Sequence, residues 1–215
     1  AVLLLNEDNP NGVWKLDTFT IGGEEHTLPG FAGELITGVC NETGCQGTYI
    51  NGICSANDAH YQAAVYNETD SVYEISNAGQ LFWFAEKVNA GENSINGRLM
   101  ADIDLNGTPW SPIPVFKGEL LGNGKTISGL YLNKTGTTAE DRFVGFVSYL
   151  GETGTVKNLS IENSYFYGNQ YVAAVVVQNK GTVEGCVNSA YVGSSDMICG
   201  GVVATNYGVV NNCTN

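Results

Sequence analysis

Gly154-Thr-Val-Lys-Asn-Leu159, Gly181-Thr-Val-Glu-Gly-Cys186 and Gly208-Val-Val-Asn-Asn-Cys213 are three versions of one hexapeptide, each starting 27 residues after the last (181 − 154 = 208 − 181 = 27). The same offset lays Ala174-Val-Val-Val-Gln-Asn179 over Gly201-Val-Val-Ala-Thr-Asn206, so two separate segments of the period recur in register. Each period therefore holds two short β-like runs parted by Gly and Asn. That is too little chain for a repeat carrying a helix and about right for one turn of a solenoid. The expected fold is mostly β: a right-handed parallel β-helix whose turns stack about 4.8 Å apart.

Working back from Gly154, Gly145-Phe-Val-Ser-Tyr-Leu150 matches the Ala174 and Gly201 segments once two residues are inserted. Thr126-Ile-Ser-Gly-Leu130 then falls over Thr155 to Leu159, and the alternating Leu99-Met-Ala-Asp-Ile-Asp-Leu105 supplies a first turn. This alignment predicts one inward ladder of Ile127, Val156, Val183 and Val210. A second would hold Leu130, Leu159, Cys186 and Cys213, its cysteines acting as small buried hydrophobes. Upstream, Ser76 to Gly91 has helical spacing, with Ser76 or Asn77 as N-cap and Leu81, Phe82, Phe84, Ala85 and Val88 along one face. A helix there is expected to cap the open edge of the first turn, with Trp83 and Trp110 packed around it. These features divide the chain at 71/72, into an N-terminal strand- and loop-rich region (1–71) and a capped β-helix (72–215). In the first region Val13 to Ile21 alternates like a strand, and the cysteine-containing stretch between Phe31 and Tyr66 reads as loop-rich.

Charged residues make up 14% of the 215, Gly numbers 28, and 22 acidic residues against nine basic ones give a net charge of −13. A surface of that sign repels phosphate backbones and anionic lipid, so no nucleic acid partner and no membrane insertion are expected. No stretch approaches the roughly 18 apolar residues of a span, and Ala1-Val2-Leu3-Leu4-Leu5 is too short for a signal-peptide core. The chain reads as a mature or trimmed product. Six N-x-S/T sequons, at Asn41, Asn67, Asn106, Asn133, Asn158 and Asn212, add weak support for secretion in a eukaryote and none in a bacterium. The expected location is extracellular or cell-surface.

Several groups could carry chemistry. Cys40, Cys45 and Cys54 allow one disulfide between Cys54 and either of the others with a thiol left over, three free thiols, or, with His60, a distorted zinc site; the spacing is poor for zinc, the redox logic of secreted chains favours the disulfide, and neither metal nor cofactor is expected. Asp102 and Asp104 share one face of a strand, where they could hold Ca²⁺ or act as an acid/base pair, but with Asn106 beside them an exposed polar face is the simpler reading. Tyr165, Tyr167 and Tyr171, with Phe166, flank a Gly-Asn turn and form a possible ligand surface for sugar stacking. Only Arg98 and Arg142 could serve as guanidinium partners for a uronate, and His26 and His60 lie too far apart for an H-E-x-x-H metalloprotease motif.

Tyr73 to Asn89, followed by Met100-Ala-Asp-Ile-Asp-Leu105, Trp110-Ser-Pro-Ile113 and Phe116 to Leu130, resembles the entry module of large bacterial surface proteins. The Val144-Gly-Phe-Val-Ser and Gly-Thr-Val repeats after it resemble the GLUG motif of clostridial-type extracellular proteins. The resemblance covers residues 72 to 215 and implies a right-handed β-helix on a secreted or wall-attached protein, without implying a catalytic activity. Tyr49-Ile-Asn-Gly-Ile-Cys54 also resembles a small cysteine module seen before such an entry helix, with Asn57 standing where a last Cys belongs.

The final repeat at Cys213 to Asn215 would leave an uncapped turn, against which Val2, Leu3, Leu4 and Leu5 could add in trans and give head-to-tail self-association. The function expected is a non-catalytic extracellular structural or adhesion module, whose partners would be a glycan, a host surface protein or a second copy. A carbohydrate-active β-helix enzyme or glycan-binding module is the alternative, and it rests on fold analogy.

Overall fold

The computed structural model describes residues 14–21, 24–31, 36–40, 42, 45, 47–136, 138 and 141–215, and for 14–37 the backbone alone. The chain forms two compact units, residues 1–63 with 77–83, and residues 64–76 with 84–215.

The second unit is a parallel β-solenoid of about five turns. Its longest sheet stacks, in order, Val65–Asn67, Val72–Ile75, Gly97–Leu99, Glu119–Ser128, Thr155–Glu162, Thr182–Glu184 and Val209–Asn211. All neighbours run parallel except the first pair, an antiparallel hairpin. Three further sheets of three strands close each turn: Tyr131–Lys134, Tyr165–Gly168 and Tyr191–Ser194; Phe143–Val144, Tyr171–Ala173 and Ile198–Gly200; Val147–Leu150, Val176–Asn179 and Val203–Asn206.

The repeated hexapeptide turns a corner. Strict alternation from Val156 would point Asn158 inward and Leu159 outward. Instead Asn158 takes a left-handed conformation (φ 50°), which shifts the phase by one residue and buries both Val156 and Leu159. One and two turns on, Gly185 (φ 61°) and Asn212 (φ 50°) do the same. Gly and Asn tolerate this region best, which is why the column reads Asn, Gly, Asn. Cys186 is fully buried one turn after Leu159, and its Sγ leans on the Val156 carbonyl (3.6 Å) as Cys213 Sγ leans on that of Val183 (3.7 Å). Burial pushes the Cys186 thiol up to about 11, as befits an apolar filler.

A polar column runs alongside. Asn179 is fully buried, and its side chain accepts from Gly181 N–H (2.9 Å) and donates to Asn206 Oδ1 (2.7 Å) and the Val209 carbonyl (3.1 Å). Asn206 in turn accepts from Gly208 N–H (3.1 Å), so Asn179 ties its own corner to the next and Asn206 ties its own.

The register corrects the predicted ladders upstream of Gly154. Ile127 pairs with Ile161 and Ile103, and Leu120 pairs with Val156; Leu159 faces Lys125 rather than Leu130. The inward columns are therefore Ile103, Ile127, Ile161 and Leu120, Val156, Val183, Val210. The cause is extra chain that a two-residue insertion does not supply. From Tyr131 to Phe143 is 12 residues, whereas the equivalent step from Tyr165 to Tyr171 is six, so an enlarged loop follows Lys134. A register shift between Leu121 and Lys125, where Asn123 and Gly124 both take positive φ, absorbs two more.

The helix, α1, spans Ala78–Asn89; its start through Trp83 belongs to the first unit and its continuation from Phe84 to the second. Asn77 is the N-cap, its Oδ1 accepting from Gln80 N–H (2.9 Å). Gly91, at φ 110°, ends the helix with Glu92 N–H bonded to the Lys87 carbonyl (3.1 Å). Phe84 meets Tyr73 and Phe116 edge-on, and the lack of a side chain on Gly97 leaves room for its ring. This half of α1 therefore caps the first turn, as expected. Trp110 lies in the core, stacked on Phe146 at 5.0 Å and donating its Nε1–H to the Phe146 carbonyl (3.1 Å).

In the first unit Trp14–Ile21 pairs antiparallel with Glu24–Phe31. The loop-rich stretch holds four short strands, Ile36–Val39, Thr48–Ile50, Ile53–Cys54 and Asn57–Tyr61, in one antiparallel sheet. Strands of two to five residues are too short to show alternation. Their hairpin is nevertheless signalled by Asn51-Gly52, both at positive φ, the combination a two-residue turn demands.

Candidate functional site

The sheet of the first unit gathers four side chains that the sequence spreads over 21 positions (40 to 60). Cys40 follows the strand Ile36–Val39, Cys45 lies in the loop after it, Cys54 ends its strand beyond the Asn51-Gly52 turn, and His60 lies on the next. Pairing of Tyr49 with Cys54 and of Ile53 with Tyr61 folds these segments together. The three Sγ atoms and a His60 ring nitrogen all lie within 4.8 Å of one another. Cys45 and Cys54 sulfurs are 3.1 Å apart and Cys40 Sγ is 3.7 Å from His60 Nδ1; all three thiols are free, without a disulfide. Cys40, Cys54 and Tyr49 are buried as a small apolar cluster with Cys45 at its edge.

The thiols differ in their surroundings. Hydrogen bonds to Cys40 and Cys54 push the Cys45 thiol up to about 11, against a Gly47 N–H that favours its thiolate. Burial would raise Cys54 too, but bonds from Cys45, from Ala56 N–H, from Cys40 and from Asn57 N–H outweigh it and bring the thiol down to about 7. Gly47 passes so close that a Cβ there would lie 2.5 Å from Cys54 Sγ. The amide donors of Gly47, Ala56 and Asn57 were not visible in the sequence, because short range alone does not say which backbone N–H faces a sulfur.

On the solenoid, Tyr165 is sandwiched between Tyr131 (5.4 Å) and Tyr191 (4.9 Å), with rings nearly parallel. Both of its faces are taken, so it offers a sugar only its edge and hydroxyl. Burial, then Tyr191, Tyr131 and Tyr167, push its phenol up. Tyr167 is tilted against Tyr165 at 6.4 Å, and Tyr171 stacks on Phe143 at 5.3 Å. The outer rings Tyr131 and Tyr191 are about half exposed and complete a strip that their spacings of 34 and 26 residues conceal.

Asp102 and Asp104 serve the backbone: Asp102 accepts from Thr126 N–H and Asp104 from Asn106 N–H, each at 2.9 Å. Arg98 pairs with Asp70 (2.8 Å) and Glu74 (2.7 Å), and Arg142 donates to Gln170 (2.7 Å). The last turn exposes Tyr207, Val209 and Val210, and Cys213 is half-buried within it. Val2 to Leu5 lie outside the described residues.

Comparison with known proteins yields two relatives. Halomucin of Haloquadratum walsbyi is 34% identical over 237 aligned positions, which take in 93% of this chain and 2% of that protein. A Gly-rich membrane protein of Evansella cellulosilytica is 30% identical over 118 positions, 53% of this chain and 10% of the relative. The chain thus spans a small part of either relative's length. No family model matches it, and no solved structure does.

Proposed function

We propose that this chain is a non-catalytic, extracellular structural stretch of a surface protein, a rigid spacer of GLUG type that also presents an adhesion face. The observation that carries this is the likeness to halomucin along nearly the whole chain, together with a second relative named as a membrane protein. The solenoid supports it physically. Asp102, Asn179, Arg98 and Arg142 are engaged in holding turns together, Asp104 caps its own turn at Asn106, and carboxylates already bonded to backbone amides are poorly placed to shuttle protons to a substrate. Among the described residues, no helix is long and apolar enough to cross a membrane.

A second reading, glycan binding, draws on the strip of Tyr131, Tyr165 and Tyr191. Sugar rings would meet the exposed outer rings, since Tyr165 has no free face. Antibodies raised against the purified chain test the main proposal. They should label intact, unpermeabilised cells of the source organism, whereas labelling only after lysis would overturn it.

A further inference from the structure

The cluster in the first unit is built like a tetrahedral metal centre. Zn²⁺ holds thiolate sulfur at about 2.3 Å and imidazole nitrogen at about 2.0–2.1 Å, which places tetrahedral ligands about 3.5–3.8 Å from one another. The four ligand atoms here lie within 4.8 Å of one another, with one pair at 3.7 Å and another at 3.1 Å, so distances bracket what the ion needs. The Cys45 and Cys54 sulfurs have to part by only about 0.7 Å to admit it. We propose that Cys40, Cys45, Cys54 and His60 bind one Zn²⁺ as a closed, structural Cys₃His site.

Three further observations point the same way. Backbone N–H groups aim at two of the sulfurs, from Gly47 to Cys45 and from Ala56 and Asn57 to Cys54, and such donors stabilise thiolates and orient them as outer partners of a metal. Gly47 is the residue that lets the loop cross within reach of Cys54. Finally, His60 is held from its far side, with Nε2 3.0 Å from Asn57 Nδ2 while Asn57 Oδ1 accepts from Ala59 N–H. In that metal-free arrangement the ring proton sits on Nδ1, facing Cys40.

Binding has a definite proton balance. As Zn²⁺ enters, the three sulfurs shed their protons to solvent and the ring proton moves from Nδ1 to Nε2. Asn57, whose Oδ1 stays bonded to Ala59 N–H, then releases its Nδ2 from the ring, and the new Nε2–H of the partly exposed imidazole donates to solvent. The product is a site of net charge −1, and no redox step is involved. Four closed ligands leave no position for water, so the ion acts as a staple for a region whose strands are two to five residues long. The competing fate of these thiols is a Cys45–Cys54 disulfide, which would strip the site of two ligands.

The full chain, purified without chelator, should contain about one zinc per molecule by elemental analysis. After stripping and anaerobic reconstitution with Co²⁺, it should show intense visible d–d bands and near-ultraviolet thiolate-to-cobalt charge transfer. Cys54→Ser and His60→Ala should each weaken zinc retention by about tenfold to a hundredfold in a chelator competition. Cys199→Ser, at an exposed cysteine of the solenoid, should leave it unchanged. Zinc below about a tenth of an equivalent, both as purified and after anaerobic reconstitution, would overturn the proposal. So would a Cys45–Cys54 disulfide found by mass spectrometry in the native, zinc-free protein. The cobalt spectrum of the unmutated chain keeps the test decisive if a variant fails to fold.

Discussion

Replacing Phe146 by alanine is expected to destabilise the solenoid by about 3–5 kcal/mol. Phe146 is fully buried, and its ring lies flat on Trp110, with centroids 5.0 Å apart and planes 17° from parallel. Its backbone is equally engaged, since the carbonyl takes the indole N–H and the amide bonds to Ala174 of the next turn. Truncation leaves these backbone bonds available but opens a void bordered by Trp110, which turns packed in register cannot close without separating. For a unit of this size the loss corresponds to a fall in melting temperature of about 10–15 °C. Thermal unfolding followed by circular dichroism measures it. A fall under about 3 °C would mean that the ring is not in the load of the core.

Gly181→Ala is expected to cost as much by the opposite route, for want of space. An added Cβ would lie 2.1 Å from the Gly154 carbonyl oxygen and 2.5 Å from that of Gly151. Neither can swing aside, because both are backbone, and Gly154 O already accepts from Thr182 N–H at 3.0 Å. The methyl group must push two turns apart at the bond that joins them. A cost of about 3 kcal/mol or more follows, at or beyond the usual upper end for overpacking. Gly124→Ala supplies the contrast: its φ is 70° but nothing lies within 4 Å, so only the left-handed conformation is penalised, at about 1–2 kcal/mol. If chemical denaturation gave the two variants equal losses, close approach between turns would not be what selects glycine at 181.

The same column explains how much of the fold could be read in advance. Gly154, Gly181 and Gly208 recur because turns touch there, and Asn158, Gly185 and Asn212 recur because the chain bends there. Both are local backbone demands, so they leave a periodic trace in the sequence. Hydrophobic columns leave a weaker one. Leu120, Ile127 and Leu130 are interchangeable as inward residues, so nothing in their chemistry chooses a register. The choice was made by the loop after Lys134 and the shift at Asn123-Gly124, whose lengths carry no pattern.

The cysteine cluster was legible only in part. The residues were visible and the zinc reading was among those open, but the spacing from Cys40 to His60 looks poor when measured along the chain. It becomes compact only when the Asn51-Gly52 turn pairs Tyr49 with Cys54 and the following strand returns His60. Asn-Gly between Ile50 and Ile53 was the signal that could have found it. Tyr165 shows how neighbours in sequence differ from neighbours in the fold. Its aromatic neighbours in sequence suggested a platform, whereas its true neighbours are Tyr131 and Tyr191 in adjacent turns, which cover it.

On the proposed reading, Asp102, Arg98 and Arg142 are spent on joining turns, and the solenoid turns over no polysaccharide. The most direct test is incubation of the folded, full chain with a panel of acidic and neutral polysaccharides, followed for new reducing ends and for unsaturated uronate absorbance. The account predicts no product above a protein-free control, with binding at most. Depolymerisation of any member, lost on substituting Asp102, Asp104 or Arg98 while the melting temperature holds, would contradict it.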